Sequence, residues 1–221
     1  MKIYGHDPRF VFNGRYDSFP DAVVVREIWC ENVYEVHDGD FVDTGVVVDL
    51  GANIGSFSLY AAMLGAKKVI AVEPEPHNLR LLNQNINENQ HNVPDCEFIV
   101  DTRGVGGRKR KAFITDEHGD SRVIKHAGME EGLTEISVVP LEQIWKDHEL
   151  EFVDVLKIDI EGLEGEVIAA ASEDLLNLCR YITLEFDQSS TDLGAVVEKI
   201  SKTHQIKYVG AKGGMLFARR F

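Results

Sequence analysis

The sequence predicts an α/β fold: a doubly wound, mostly parallel sheet that ends in an antiparallel hairpin. From Val46 onward, short apolar runs alternate with segments of helical periodicity, the pattern of consecutive βαβ units. Near the C-terminus, Ile206–Val209 and Met215–Arg219 are joined by Gly-Ala-Lys-Gly-Gly214, a turn-rich connection that folds one strand back along the other. One strand of that pair must therefore run antiparallel to the rest.

The elements follow in order. Gly45-Val-Val-Val-Asp-Leu50 is short and apolar, as a buried strand should be, and Ser56–Leu64 places Phe57, Tyr60, Ala61 and Leu64 at helical spacing. Lys68–Val72 is a second strand. Pro76 then opens an amphipathic helix through Asn89, with Leu79, Leu82 and Ile86 on one face, because proline tolerates the first helical position. Glu97–Val100 is a third strand, Phe152–Ile158 a fourth, and a helix rich in small residues covers Leu163–Ala171. Tyr181–Phe186 is a fifth strand and Leu193–Thr203 the last helix.

Two stretches stand outside the alternation. Residues 1–40 are expected to form an N-terminal cap with strand content in Ile28–Val36. Residues 115–134 are polar and glycine-bearing, which fits a lid over a binding site or a surface insertion.

With 221 residues, 44% of them hydrophobic, the chain can bury one sizeable core, so residues 1–221 are expected to form a single domain. The apolar stretches are too short to cross a bilayer and the N-terminus lacks a signal-peptide pattern, so the expected location is the cytoplasm, away from membranes. Three cysteines with no CxxC spacing suggest neither a disulfide framework nor a zinc cluster. A formal charge of −14 repels a phosphate backbone, so no nucleic-acid partner is expected. The basic run Arg103–Lys111 reads as a solvated turn.

The loop Asp49-Leu-Gly-Ala-Asn-Ile-Gly55 leaves a strand and enters a helix, the arrangement that turns backbone N–H groups toward a ligand. Gly51, Ala52, Asn53 and Gly55 are its expected contacts, with glycine allowing close approach or a positive φ. Glu73, followed by Pro74, ends the next strand, where an acidic residue can accept both hydroxyls of a ribose. A dinucleotide needs G-x-G-x-x-G, whereas here Asn53 and Ser56 stand at the later glycine positions. S-adenosylmethionine carries no phosphate, and Asp49 suits its ammonium group. A purely structural glycine turn remains the bland alternative.

Leu156-Lys-Ile-Asp-Ile-Glu-Gly-Leu-Glu164 leaves the fourth strand beside the cofactor strand, delivering a lysine and carboxylates to the switch point. Asp159 and Glu161 would share a side if the chain stays extended, and Glu164 would fall in the first helical turn. Acidic residues at a helix start also serve as caps, and that alternative stays open.

DLGANIGSFSLYAA, VIAVEPEPHNLRLLNQNI and LKIDIEGLEGEVI, in this order and spacing, resemble the FkbM family of S-adenosylmethionine-dependent methyltransferases. The resemblance runs from Glu27 to Glu185 and includes Glu27-Ile-Trp, Tyr34, the GVGG stretch and a Val138-Val-Pro-Leu141 strand. It implies a Rossmann-like class I methyltransferase fold and O-methylation of a hydroxyl on a small molecule or sugar. Where the family has Ala-Val-Gly-Asp this chain has Gly104-Val-Gly-Gly107, and where it has Leu-Asp this chain has Leu141-Glu142. Asp101 and Thr102 are the expected neighbours of the adenine ring.

A hydroxyl acceptor must lose its proton. Asp159 is the first candidate base, Glu161 and Glu164 orient the acceptor, Lys157 tunes their charge, and Glu185 is a weaker candidate on the same rim. A divalent metal on Asp159, Glu161 and Glu185 is an alternative without a coordination pattern to support it. The histidines show no ligand spacing, although His118 and His126 could reach the site from the lid. Methylation of RNA or protein, and a non-catalytic S-adenosylmethionine-binding module, remain the other functional readings.

Overall fold

The computed structural model describes residues 1–15, 19–115, 123–124, 133–186, 191–210 and 214–221. An antiparallel pair, β1 (Lys2–Tyr4) and β2 (Val11–Asn13), precedes α1 (Phe19–Arg26). The main alternation follows: β3 (Val46–Leu50), α2 (Ser56–Leu64), β4 (Lys68–Val72), α3 (Pro76–Asn89) and β5 (Glu97–Asp101). Next come the short strands β6 (Gly104–Val105), β7 (Arg110–Thr115), β8 (Val123–Ile124) and β9 (Leu133–Val139). The chain then forms α4 (Leu141–Asp147), β10 (Val153–Ile158), α5 (Glu164–Ala170), α6 (Glu173–Leu176) and β11 (Cys179–Glu185). It ends in α7 (Leu193–Ser201), β12 (His204–Val209) and β13 (Met215–Arg220).

The central sheet has seven strands in the order β12-β13-β11-β10-β3-β4-β5. β10, β11, β3, β4 and β5 pair in parallel, whereas β13 runs antiparallel to both β11 and β12. Strand order reverses between β3 and β10, so the C-terminal ends of these strands open a crevice.

Residue alternation explains why both faces are covered. Val47, Val69 and Ala71 pack with Ile54, Phe57, Leu82 and Ile86 of the following loop and helices, together with Phe10, Phe12, Trp29 and Tyr34 of the N-terminal segment. Val48, Leu50, Ile70 and Val72 point the other way, onto Ile144, Val167, Ile168 and Ile200. Strands apolar on both faces belong in the middle of such a sandwich. At the far end from the crevice, the carboxylate of Asp154 accepts from the N–H groups of Asp43, Thr44 and Gly45 at 3.1, 2.9 and 2.6 Å, which fixes the entry to β3.

Several expectations need correction. The segment Glu27–Glu31 is a π-helical turn closed by Asn32 at φ 48°, rather than strand. Ile28 and Trp29 are both buried, with Trp29 packed against Phe10 and Phe12. Arg103–Lys111 is no simple solvated turn: β6, β7, β8 and β9 form a separate four-stranded sheet, and Arg110 pairs with Glu166. Pro140 ends the strand that includes Val138 and Val139, and Leu141 already begins α4. In the stretch 115–134, Thr115 closes β7, Val123–Ile124 forms β8, and Leu133 and Thr134 open β9. The rest of that stretch, including His118 and His126, lies outside the described residues.

Among the described residues no helix is long and apolar enough to cross a membrane.

Candidate active site

Two adjoining cavities open at the C-terminal ends of β3, β4 and β10, and they share Gly51, Asn53, Asp159 and Glu161 as a common wall. The first, about 670 Å³ with its open mouth, is lined by Glu73, Pro74, Asn78, Arg103, Val105 and Ile114 among others. The second is lined by Glu27, Tyr34, Ala52, Ser56, Lys157 and Glu185 among others.

Glycine in the loop answers to the fold itself. A Cβ on Gly51, which has φ +77°, would stand 1.7 Å from the carbonyl oxygen of Asp159, and one on Gly55, at φ +83°, would stand 2.7 Å from Leu82 Cδ1. Close passage of β3 past the loop after β10 therefore demands Gly51. The loop N–H groups are also engaged within the protein, contrary to the expectation that they face a ligand. Those of Gly51 and Ala52 donate to Val72 O at 2.9 and 3.0 Å, that of Gly55 to Ala52 O, and that of Asn53 to Glu73 Oε2 at 2.8 Å.

At the Glu73 side of the first cavity the buried side chains offer acceptors, while Arg103 on the opposite wall is tied to Asp101 and Asp147. Glu73, only 5% exposed, accepts from the Asn53 and Glu75 N–H groups, and Asn78 Nδ2 stands 3.4 Å from its Oε1. Burial pushes the Glu73 carboxyl up to about 7 despite these donors. The side-chain oxygens of Asn53 and Asn78 are buried with no hydrogen-bond partner among the described residues. The Nδ2 contact orients the Asn78 amide, leaving its oxygen to receive a donor.

Asp49 is fully buried, lines neither cavity and belongs to an internal pair. Ser58 Oγ–H donates to Asp49 Oδ2 at 2.6 Å, and Lys157 Nζ lies 3.1 Å from Oδ1. Asp49 and Lys157 are register partners on adjacent parallel strands, which puts both side chains on one face. Lys157 Nζ also donates to Gly51 O at 2.7 Å and lies 3.6 Å from Asp159 Oδ2. Burial alone would lower its pKa, but Asp49 and Asp159 outweigh burial and hold it above the ordinary lysine value.

Asp159 Oδ2 accepts from Tyr34 Oη–H at 2.7 Å, and burial followed by the Asp159 charge drives the tyrosine well above its ordinary value. β10 ends at Ile158 and Glu161 has φ +56°, so the extended conformation does not persist through Glu161 and strand alternation does not relate the two carboxylates. Both nevertheless line both cavities. Glu164, 2% exposed, accepts from Ile160 N–H at 3.1 Å and Gly162 N–H at 2.9 Å, so it secures the loop between β10 and α5 from within. Its carboxyl is raised, chiefly by burial. Glu185 receives no hydrogen bond from the described residues, and burial followed by Asp159 pushes it up to about 8. Among the described residues no group of three or more His, Cys, Asp or Glu side chains is placed to hold a metal ion.

Asp101 and Thr102 do not line the first cavity. The Asp101 carboxylate is held by Arg103 and His148, whose hydrogen bonds outweigh burial and lower its pKa, and Thr102 is exposed. Arg103, Gly104 and Val105 form the wall in their place, joined by Ile114 from β7. Hydrophobic alternation could not single out Arg103 or Asn78, because their placement depends on the turn after β5 and the first turn of α3.

Residues 49–207 match the methyltransferase FkbM domain family. The chain belongs to this family. It is 24% identical over 191 residues to the methyltransferase sdnD of Sordaria araneosa, covering 73% of each chain. It is 27% identical over 203 residues to the 31-O-demethyl-FK506 methyltransferase FkbM of Streptomyces tacrolimicus, covering 78% of this chain and 76% of that one. The crystal structure of methyltransferase FkbM from Methylobacillus flagellatus superposes with a TM-score of 0.55 at 16% identity, over 93% of this chain. This chain spans just over half, 56%, of that structure's length.

As an FkbM-family methyltransferase the chain has a class I fold, and the departure at Gly107 has a local reason. Gly107 N–H donates to Glu166 Oε1 at 2.9 Å, and a Cβ there would come within 2.8 Å of Glu166 Cγ. An aspartate would bring a like charge to the same carboxylate.

Proposed function

We propose that this methyltransferase uses S-adenosylmethionine to methylate a hydroxyl on a small molecule or sugar. The observation that carries the cofactor reading is the acceptor character of the first cavity: Glu73 with the unpartnered oxygens of Asn53 and Asn78, beside loop N–H groups already engaged. A ribose diol donates hydrogen bonds and fits this lining. A pyrophosphate beside Glu73 would meet a carboxylate and loop N–H groups already engaged, and the guanidinium of Arg103 is already shared by Asp101 and Asp147.

On this reading Glu73 receives the ribose hydroxyls, Asn78 Oδ1 a further donor, and Pro74, Val105 and Ile114 flank the base. Gly51, Ala52 and Asn53 pass beneath the rest of the ligand, and Gly55 shapes the loop. The cofactor supplies an electrophilic methyl group on a sulfonium, so the protein's task is alignment and removal of one proton. Asp159, held by Tyr34 and Lys157, orients the acceptor hydroxyl together with Glu161. Glu185, which no described residue engages by a hydrogen bond, takes the proton. Glu164 acts through the loop that carries Asp159.

A small acceptor is supported by the Streptomyces relative, whose name places it on the 31-O position of demethylated FK506. Three of the five cations of the basic run are paired within the protein: Arg103 with Asp101 and Asp147, Arg110 with Glu166 and Lys111 with Glu135.

Calorimetric titration with S-adenosylmethionine, S-adenosylhomocysteine and NAD tests the reading. The sulfur ligands should bind, and Glu73→Ala should weaken them by about 1 to 3 kcal/mol, the cost of a lost hydrogen bond to a charged group. Binding of NAD alone would overturn it. Acceptor screening by S-adenosylhomocysteine release then tests the hydroxyl assignment.

A further inference from the structure

We propose that Asp159, Glu161 and Glu185 read the charge on the cofactor's sulfur, so that the protein holds the cationic methyl donor more tightly than its neutral thioether product. This inference rests on the cofactor reading above and gives the three carboxylates a part in selecting the ligand, besides their part in the transfer.

The position of the sulfur follows from connectivity. It is bonded to the 5′ carbon of the ribose, so with the ribose hydroxyls on Glu73 it reaches the wall that the two cavities share. Gly51, Asn53, Asp159 and Glu161 form that wall, and Glu185 lines the second cavity. Ser56 independently marks the second cavity as one that receives a polar ligand: it lines the space, is 1% exposed, and its Oγ has no hydrogen-bond partner among the described residues.

The charges at this wall do not balance. Facing Glu185 are Asp159 and Glu161 from the loop after β10, Lys157 from β10, and Glu27 and Tyr34 from the N-terminal segment. Its register partner on β13, Met215, brings no charge. Lys157 is the one cation lining the second cavity among the described residues, and Asp49 and Asp159 share it at 3.1 and 3.6 Å. Arg26, next to Glu27, pairs with Glu31 on the surface instead. Burial, then Asp159, Glu161 and Glu27, push the Glu185 carboxyl up to about 8 against the pull of Lys157.

A positive charge at the shared wall offsets this repulsion, and in a site shielded from water the attraction is stronger than in solvent. On transfer the S–C bond breaks, its electron pair stays on sulfur, and Glu185 takes the proton of the acceptor hydroxyl. The sulfur is then neutral, and the carboxylates no longer hold it. A cation beside a carboxyl also favours the ionised form, so Glu185 gives up its proton when the donor binds and is ready to act as base.

Calorimetry on the full chain at pH 7 compares S-adenosylmethionine and sinefungin, which carries an ammonium group where the sulfonium stands, with neutral S-adenosylhomocysteine. Both cationic ligands should bind on the order of tenfold more tightly than the thioether. Glu161→Gln and Glu185→Gln should each shrink that preference several-fold, while S-adenosylhomocysteine stays within about twofold and so reports intact cavities. Repeating the titrations in two buffers of different protonation enthalpy should show proton release with S-adenosylmethionine, none with S-adenosylhomocysteine, and none in Glu185→Gln. Equal affinity for donor and product in the unaltered chain overturns the proposal, as does a preference that survives in both variants or an equal loss of both ligands. If neither ligand binds the unaltered chain, the cofactor reading itself fails.

Discussion

Tyr34 Oη–H donates to Asp159 Oδ2 over 2.7 Å, joining the N-terminal segment to the loop that leaves β10. The backbone of Tyr34 is held in turn, because Tyr181 Oη–H donates to its carbonyl at 3.0 Å. Tyr34→Phe keeps the ring against Phe57 and removes only the donor. We expect a loss of about 1 to 3 kcal/mol in urea unfolding, the range for a bond to a charged acceptor. Amide exchange at residues 159–163 should also accelerate. An unchanged midpoint and unchanged exchange would show that the bond does not anchor the loop.

The buried pair of Asp49 and Lys157 makes a second prediction. Lys157→Met leaves Asp49 in the core without its countercharge, and removing one member of a buried pair costs about 3 to 5 kcal/mol. The double variant Asp49→Asn, Lys157→Met removes both charges and should recover much of that loss. Equal destabilisation in single and double variants would mean that packing, rather than charge, is what Lys157 contributes.

Gly51 and Gly39 should respond in opposite ways to alanine. At Gly51 the added methyl collides with Asp159 O and the φ of +77° disfavours any side chain, whereas nothing lies within 4 Å of a Cβ on Gly39. Gly51→Ala is expected to cost more than about 4 kcal/mol or to abolish folding, and Gly39→Ala to stay within about 0.5 kcal/mol. Thermal unfolding decides it, and a stable Gly51→Ala protein would refute the close passage.

Glu73 makes stability depend on pH. Its carboxyl titrates near 4.5 in the unfolded chain and at about 7 when folded, so the folded state holds the extra proton between these values. Stability from this group is present below about pH 4.5, falls as pH rises, and is lost above pH 7, a swing on the order of 3 kcal/mol. Glu73→Gln should flatten that part of the profile and stabilise the protein at pH 8, leaving the slope that Glu185 adds. Urea titrations at pH 5 and pH 8 measure this. A variant as pH-sensitive as the parent would place the titration elsewhere.

Much of the fold was legible because local periodicity reports burial directly. Val46–Leu50 and Lys68–Val72 could be placed from apolar runs, and Pro76 marked the start of α3. Ile28-Trp29 misled because an apolar segment without clear periodicity fits strand or helical turn equally, and packing against Phe10 and Phe12 decided between them. Arg103 looked like part of a solvated run because charge in sequence carries no information about which carboxylate will fold beside it.

The sequence by itself determined the order and type of the central-sheet strands and of α2, α3 and α7, the loop after the first long strand, and the acidic residue that ends the next, but not the smaller sheet of β6–β9 or the helices α4 and α6. These are local properties, set by spacing along the chain. Only the tertiary structure decided that Asp49 faces Lys157, that Tyr34 reaches Asp159, and that Asn78 and Ser56 keep unpartnered polar atoms at the cavities. Those relationships arise from strand register and from contacts between distant segments, and a one-dimensional pattern does not encode which side chains the packed sheet brings together.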